Sequence, residues 1–246
     1  MSTGRLVVCL LLCLFVAAPG RGQDVYQDST NHWTLRIPAG WEAASAPEVQ
    51  ALNAETDRAM PDRRFRYTAL FRQSAPADPE PPYILVQFTP VALRGATLED
   101  VARLFGADAS QALSNAAQRI SESGAAQAEF SAPAFDPATR TATLDARVAR
   151  PDGAQQRVRS VMHMTYDGIV QFNLYSPLEQ FSANLAQFDL FLQSFRIDPA
   201  HQWVPATSSR SSGLARMISF TITGAILGAV LGILLKRRAA QRCTPK

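Results

Sequence analysis

Between residues 23 and 213 the sequence contains neither cysteine nor lysine. The missing cysteines exclude a disulfide framework, thiolate metal ligands and a cysteine nucleophile from this segment. The missing lysines exclude Schiff-base chemistry there. The chain has only three cysteines, Cys9, Cys13 and Cys243, and two lysines, Lys236 and Lys246. All five lie near the ends of the chain, so the two ends differ in composition from the middle.

Signature motifs of catalysis are also missing. The sequence has no Gly-x-Ser-x-Gly elbow, no His-Glu-x-x-His helix, no phosphate-binding loop and no dinucleotide fingerprint. Its three histidines, His32, His163 and His201, are far apart in sequence, and none has a second ligand at helical metal spacing. The sequence therefore predicts no catalytic residue, no metal site and no cofactor. Among the 21 acidic residues, no two have a spacing that argues for an acid/base pair.

The N-terminus has the pattern of a secretory signal peptide. Arg5 precedes an uncharged apolar run over residues 6–18, and small residues follow up to Gly22. This run is too short to cross a bilayer, which needs roughly 20 apolar residues. Residues 1–22 are therefore predicted to be removed, so that the mature chain starts near Gln23.

Residues 214–235 are predicted to form one transmembrane helix. Arg216 is their only charge, and at about 1.5 Å per residue the helix would be roughly 33 Å long, enough to span a bilayer. The tail at 236–246 is basic and has no acid, so the positive-inside rule places it in the cytoplasm. With the signal peptide, this predicts that residues 23–213 lie on the periplasmic or extracytoplasmic side of a bacterial inner (cell) membrane.

Small residues recur within this predicted span. Gly224, Gly228 and Gly232 are four residues apart, which puts them on one helix face where a second helix can approach closely. This pattern favours a homo-oligomer or a complex with another membrane protein. The alternative is that glycine is simply commoner in membrane helices than in soluble ones.

Charge is unevenly distributed along the chain. The segment at 23–213 has sixteen arginines against all 21 acidic residues, a net charge of −5, whereas the two ends carry eight basic residues and no acid. A domain of this sign has no overall attraction for nucleic acid or for anionic lipid. Nucleic acid is therefore not an expected partner.

Alternating apolar and polar residues predict about seven strands, mostly antiparallel. Hairpin turns at 151–153 and 167–168 separate the later ones. Helical signals mark three segments: a capping box opens a short helix at 45–60, an apolar stripe follows a cap at 97–120, and a Ser-Pro pair at 176–177 opens the last helix. The strands are expected at residues 33–37, 64–72, 83–89, 126–135, 140–149, 157–166 and 169–175.

This order of elements predicts an α+β layered domain over residues 23–200, followed by a tether at 201–213. The opening Trp33-x-Leu-x-Ile-Pro-x-Gly-Trp41, the late antiparallel meander and a last helix ending Gln193-Ser-Phe-Arg-Ile197 resemble the PsbP-like family over about residues 25–198. The resemblance implies an α/β/α sandwich and a non-enzymatic binding or assembly module. It supplies no catalytic residues.

Arg157, Arg159 and His163 form the candidate ligand face. Alternation puts them on one side of their strand, and Asp145 and Arg147 share a side of the neighbouring strand. One interpretation is a cationic ligand-binding face with a titratable histidine. The other is a solvated sheet face with cross-strand Asp–Arg pairs. The same choice applies to a second group of arginines, Arg63, Arg64, Arg66 and Arg72.

Together these patterns predict a single-pass envelope membrane protein whose exported domain is a non-enzymatic binding, adaptor or assembly module. Two alternatives stay open. One is an envelope hydrolase with unmarked carboxylates, which a deep pocket holding two acids within about 10 Å would favour. The other is a structural oligomer assembled through the glycine face of the transmembrane helix.

Overall fold

The computed structural model describes residues 24–61, 63–73, 82–122, 127–150 and 152–208. The predicted signal peptide, transmembrane helix, glycine series and basic tail all lie outside these residues. In the part of the chain that the structure describes, no helix is both long enough and apolar enough to cross a membrane.

The described residues form two antiparallel sheets, of eight and three strands, together with four α-helices. The helices are α1 (Ala46–Ala59), α2 (Leu98–Leu104), α3 (Ala107–Glu122) and α4 (Phe181–Ser194). Two short 3₁₀ helices lie at Leu178–Gln180 and Pro199–His201. The strands are β1 (Val25–Asp28), β2 (Trp33–Arg36), β3 (Trp41–Ala43), β4 (Arg66–Gln73), β5 (Tyr83–Pro90), β6 (Gln127–Phe130), β7 (Ala134–Asp136), β8 (Thr141–Ala149), β9 (Gln155–Met164), β10 (Gly168–Pro177) and β11 (Arg196–Ile197).

The main sheet has the strand order β3-β4-β5-β10-β9-β8-β6, and β7 also pairs with β8. Strands β8, β9 and β10 form the predicted antiparallel meander. The single strand expected at 126–135 is instead two strands, β6 and β7, which pair with opposite ends of β8. Between them the Ser131 N–H still donates to the Asp145 carbonyl at 2.9 Å, but Pro133 has no N–H to continue the ladder.

Both faces of the main sheet carry a core. On one face, strand residues such as Leu144 and Met162 pack with Leu113 of α3, and α1 and α2 extend the same layer. On the other face, Phe172 packs with Phe188 of α4 and with the small sheet β1-β2-β11. The predicted α+β class with a large antiparallel sheet and flanking helices is confirmed.

The structure contains more strands than the seven predicted, and the additional ones are short. β3 has three residues and β11 has two. The pattern of β1 is weak because Val25 is exposed. Alternation cannot be recognised over two or three residues, so the sequence does not reveal these strands. They form where the rest of the fold supplies a partner strand.

The predicted helix caps at 45–48 and 97–100 are present. The Ser45 N–H and hydroxyl both donate to the Glu48 carboxylate at 2.8 Å. The Asp100 N–H donates to the Thr97 hydroxyl at 3.1 Å. Each cap uses N–H groups that the first helical turn leaves unpaired.

Two helix boundaries differ from the prediction. The helix expected at 97–120 breaks at Phe105 and Gly106 into α2 and α3. The last helix starts at Phe181 rather than at Ser176, because Ser176 and Pro177 end β10 and a 3₁₀ turn follows them. The proline that signals a first helical turn here terminates a strand instead.

β10 runs through the middle of the main sheet, and residues 168–176 are all buried. Its polar side chains are paired in what we call the amide row. The Gln87 side-chain amide donates to Gln171 at 3.0 Å, Gln171 donates to Asn173 at 2.8 Å, and the Ser160 hydroxyl donates to Asn173 at 2.6 Å. A slip by one residue would separate these partners, so the amide row helps fix the register of β5, β10 and β9.

Candidate functional site

α4 packs against β2 and β10, and the side of β8 and β9 next to it remains open to solvent. Of the ten side chains that these two strands present on this side, eight are polar and at least partly exposed. We call this surface the open face. Its opposite pairs are Thr141 with His163, Thr143 with Val161, Asp145 with Arg159, Arg147 with Arg157, and Ala149 with Gln155.

The turn between β8 and β9 establishes this register. Gly153 has a φ of +86°, a backbone conformation that is unfavourable for a residue with a Cβ. Its N–H donates to the Arg150 carbonyl at 3.0 Å, and the Arg150 N–H donates to the Ala154 carbonyl at 2.9 Å. The hairpin therefore starts in one register, and the alternation along both strands follows from it.

The arginines of the open face meet at one carboxylate. Asp145 Oδ1 lies 2.7 Å from Arg159 Nε and 3.8 Å from Arg157 Nη2. The Arg157 guanidinium also lies over the Phe181 ring at the start of α4, 4.4 Å from its centroid. Arg147 is exposed. The structure thus brings Arg157 and Arg159 together at Asp145.

Arginines outnumber carboxylates on the open face and in a cavity beside it. Arg147, Arg157 and Arg159 face Asp145, Glu129 of β6, which pairs in register with Arg147, and Asp136 of β7, which pairs in register with Thr141, so the charges of the strands themselves balance. Arg140 and Arg196, which line the cavity, add two positive charges, although the segment as a whole has a net charge of −5. Such a local reversal of sign attracts anionic groups to one place on an acidic protein.

His163 lies at the far end of the open face from these arginines, beyond Val161 and Thr143. Its ring packs against Phe195 at 4.6 Å and edge-on against Phe172 at 5.9 Å. Its Nε2 is buried without a hydrogen-bond partner among the described residues. Burial lowers the pKa of His163 to about 4, so the ring is neutral at neutral pH. The positive charge of this region comes from arginine alone.

A small cavity of about 230 Å³ lies beside His163. Arg140 and Arg196 both line it, and each guanidinium is held by backbone carbonyls. Arg140 Nη1 donates to the Trp203 carbonyl at 3.0 Å, and Arg196 Nη1 donates to those of Gln193 and Phe195, each at 2.7 Å. Their remaining N–H groups can bind an anion. The cavity continues the basic character of the open face past His163.

Two members of the second group of arginines, Arg63 and Arg72, lie at opposite ends of β4 and do not share a surface. Arg63 is almost fully buried, where it pairs with Asp57 at 2.8 Å and donates to the backbone and side chain of Asn53. Arg72 lies at the other end of β4 and bridges Glu42 and Glu48 at 2.9 and 2.8 Å. These two arginines fasten α1 and β3 to β4, so their role is structural.

Sequence reasoning missed Arg140 and Arg196, and it separated two histidines that the fold brings together. The rings of His32 and His201 stack with centroids 3.5 Å apart, and His201 Nδ1 lies 3.1 Å from Asp167 Oδ2. These residues come from three turns that are distant in sequence, and no local pattern marks them. Within the residues that the structure describes, no three metal-ligating side chains form a cluster.

Comparison with known proteins identifies no family for this chain. No family model matches it, and none of the curated proteins matches it.

Two solved structures are similar in fold. The solution structure of the cyanobacterial PsbP protein, CyanoP, from Synechocystis sp. PCC 6803 has 16% sequence identity and a TM-score of 0.48, over 75% of this chain and 99% of that one. The crystal structure of LpqN, involved in cell envelope biogenesis of Mycobacterium tuberculosis, has 14% identity and a TM-score of 0.36, over 74% of this chain and 88% of that one. The first has the PsbP fold that the sequence resembles, and both likenesses concern the fold alone.

Proposed function

We propose that this chain is a single-pass envelope protein whose exported domain is a non-enzymatic binding module. Its open face holds an acidic segment of a partner protein. The observation that carries the proposal is the excess of arginine over carboxylate on the open face taken together with its adjoining cavity, in a segment that is otherwise acidic.

Two sequence features support the envelope location and the single span. The N-terminal run has the three-part pattern of an export signal. Residues 214–235 are long and apolar enough to span a bilayer and are followed by a basic tail. An export signal and a basic flank behind the span independently favour the same topology, with the domain outside the cytoplasm.

An acidic peptide segment fits the open face better than a compact ligand does. The face is a strip of two strands with five successive rows of side chains, and its arginines are spread over two of the rows. α4 borders the strip with Phe181 at one end and Phe195 at the other. A chain lying along the strip could place successive carboxylates on the arginines.

The acidic residues that line a cavity give little support to the alternative of a hydrolase. Asp28 and Asp198 both line a pocket of about 360 Å³ at the turn between β1 and β2. The Asp28 carboxylate accepts three hydrogen bonds from its own turn, from Thr30 and Asn31. Asp198 caps the following 3₁₀ helix by accepting from the Ala200 N–H at 2.9 Å. Both carboxylates are thus used by the local backbone.

The test measures peptide binding by the full chain in lipid nanodiscs. The probe is a fluorescent peptide of alternating glutamate and threonine, and its counterpart has lysine in place of glutamate. We expect the acidic peptide to bind, the basic one not to bind, and added salt to weaken the binding because it screens exposed charges. In the double variant Arg147→Glu/Arg157→Glu the binding should be lost.

The matched control is the double variant Arg58→Glu/Arg103→Glu. It changes the net charge by the same amount, but both residues are exposed on helices that cover the opposite face of the sheet. It should bind the acidic peptide like the wild type. Equal binding by both double variants would show that the open face is not the binding surface.

A further inference from the structure

The last described residues lie at one end of the main sheet, which we call the exit end: residues 91–98, 165–168 and 201–208. The Tyr166 N–H donates to the His201 carbonyl at 3.0 Å. Trp203 is only 1% exposed, and its indole N–H donates to the Leu93 carbonyl at 3.1 Å. The Ala206 N–H donates to the Ala96 carbonyl at 2.9 Å. The first residues of the expected tether are therefore fastened to the domain as far as Ala206.

Little chain remains between this point and the predicted span. Seven residues separate Ala206 from Leu214. Fully extended they reach about 28 Å, and as a flexible coil their ends lie about 15 Å apart. β10, which begins at the exit end, has ten residues and is roughly 33 Å long. The exit end must consequently be the end of the domain that is nearer to the bilayer.

The surface of the exit end has the chemistry of a lipid–water interface. Leu98 is 37% exposed and Val204 is 55% exposed, and each lies two residues from the Ala206–Ala96 hydrogen bond. The exposed Arg94 places its guanidinium over the Tyr166 ring, 5.4 Å from the centroid. Exposed apolar side chains beside an arginine and a tyrosine are typical of protein surfaces that lie among lipid headgroups.

Attraction between net charges does not explain such a contact. Glu99 and Asp167 are also at this end of the domain, where they accompany Arg94 and Arg103, and Arg103 pairs with Glu99 at 3.2 Å. The charges are thus nearly balanced. Contact with lipid would therefore depend on the side chains of Leu98 and Val204 and on local pairing of arginine with phosphate. It would not require a strongly anionic membrane.

We propose that the exit end rests on the phospholipid surface, with Leu98 and Val204 at the boundary between headgroups and acyl chains and with Arg94 on lipid phosphate. This inference rests on the membrane anchor in the proposed function. It gives the domain a fixed orientation, in which the strands of the main sheet stand away from the bilayer and the open face points sideways into the envelope.

The absence of cysteine from residues 23–213 makes a direct test possible. In a Cys243→Ser background of the full, processed chain, single cysteines replace Leu98, Val204 or, as the matched control, Leu178, and each is labelled with the fluorophore NBD. Leu178 is 39% exposed and follows the opposite end of β10. The labelled proteins are reconstituted into vesicles of phosphatidylethanolamine and phosphatidylglycerol that contain a headgroup nitroxide quencher.

The labels at positions 98 and 204 should be quenched several-fold more than the label at position 178. Retention of the chain after carbonate extraction reports separately on the anchor. If the chain is retained and the three labels are quenched alike, the domain does not rest on lipid, although the anchor stands. If carbonate releases the chain, both the anchor and this inference are wrong.

Discussion

His163 shows how burial decides the charge of a residue that its sequence position leaves open. From the sequence alone, His163 is expected to be a titratable group on a positively charged strand face. In the fold, Phe172 and Phe195 enclose its ring, and the pKa falls from 6.5 to about 4. The positive groups of the open face are consequently its arginines, whose charge does not change near neutral pH. Binding there should therefore not depend on pH between about 6 and 8.

The depressed pKa of His163 makes a prediction about stability. The unfolded chain takes up a proton on this ring near pH 6.5 and the folded one only near pH 4. Folding therefore loses stability as the pH falls through this window, by on the order of 2–3 kcal/mol at most. In the variant His163→Phe, the free energy of unfolding should fall less over the same window. Urea titrations at several pH values measure it.

A direct check is the NMR titration of the His163 ring. Its resonance should shift near pH 4 in the folded protein. A midpoint near 6.5 would contradict the burial that the structure assigns to this ring, and the pH dependence of the His163→Phe variant should then equal that of the wild type.

At the scale of secondary-structure elements, the long strands could be predicted and the short strands could not. β4, β5, β8, β9 and β10 have eight to ten residues each, enough to show a period or an apolar run. β3 and β11 exist because a neighbouring strand has an unpaired edge. The break between α2 and α3 was missed because the apolar stripe continues across it, with Phe105 buried on the same side as Leu104.

One amide side chain, that of Asn53, joins α1 to the edge of β4, in addition to the ion pairs of Arg63 and Arg72. β3 pairs only with residues 71–73, so the backbone of Tyr67 lies on an uncovered edge of β4. Asn53 takes the place of a strand there: it accepts from the Tyr67 N–H at 3.0 Å and donates to the Tyr67 carbonyl at 2.8 Å. Arg63 donates to the same Asn53 oxygen at 2.9 Å.

Replacing Asn53 with alanine should destabilise the domain by about 2–4 kcal/mol, because it leaves two backbone groups and part of a buried guanidinium without partners. The matched control is Asn115→Ala. Asn115 is exposed on α3 and accepts one hydrogen bond from Gln111, so the change should stay within about 0.5 kcal/mol. Chemical denaturation of both variants compares them. A similar loss of stability in both would show that the Asn53 contacts contribute little.

At the scale of the whole molecule, the arginine pair of the candidate site could be predicted and the adjoining cavity could not. Arg157, Arg159 and Asp145 follow from alternation and from one hairpin turn. The cavity beside His163 combines Arg140 from a turn with Arg196 and Trp203 from the chain after α4. No short stretch of sequence contains this combination, which arises only when the last residues pack against the start of the meander.

The predicted topology has a simple test. Protease added to intact spheroplasts should digest the exported domain and leave an epitope tag behind residue 246 protected. Survival of the domain under these conditions would contradict the topology. Detergent lysis, after which the tag is also digested, serves as the control for protease activity, and a cytoplasmic protein serves as the control for cell integrity.

The packing of Trp203 has a mechanical consequence. If the span is embedded and a partner pulls on the open face, the load between them passes through Ala206, the buried indole and the bridge between Thr165 and Gln202. These contacts act as a latch in series with the tether. The latch has only a few hydrogen bonds, whereas β9 pairs along nine positions with each of its neighbours, so a stretched molecule should lengthen first at its attachment while the binding surface keeps its shape.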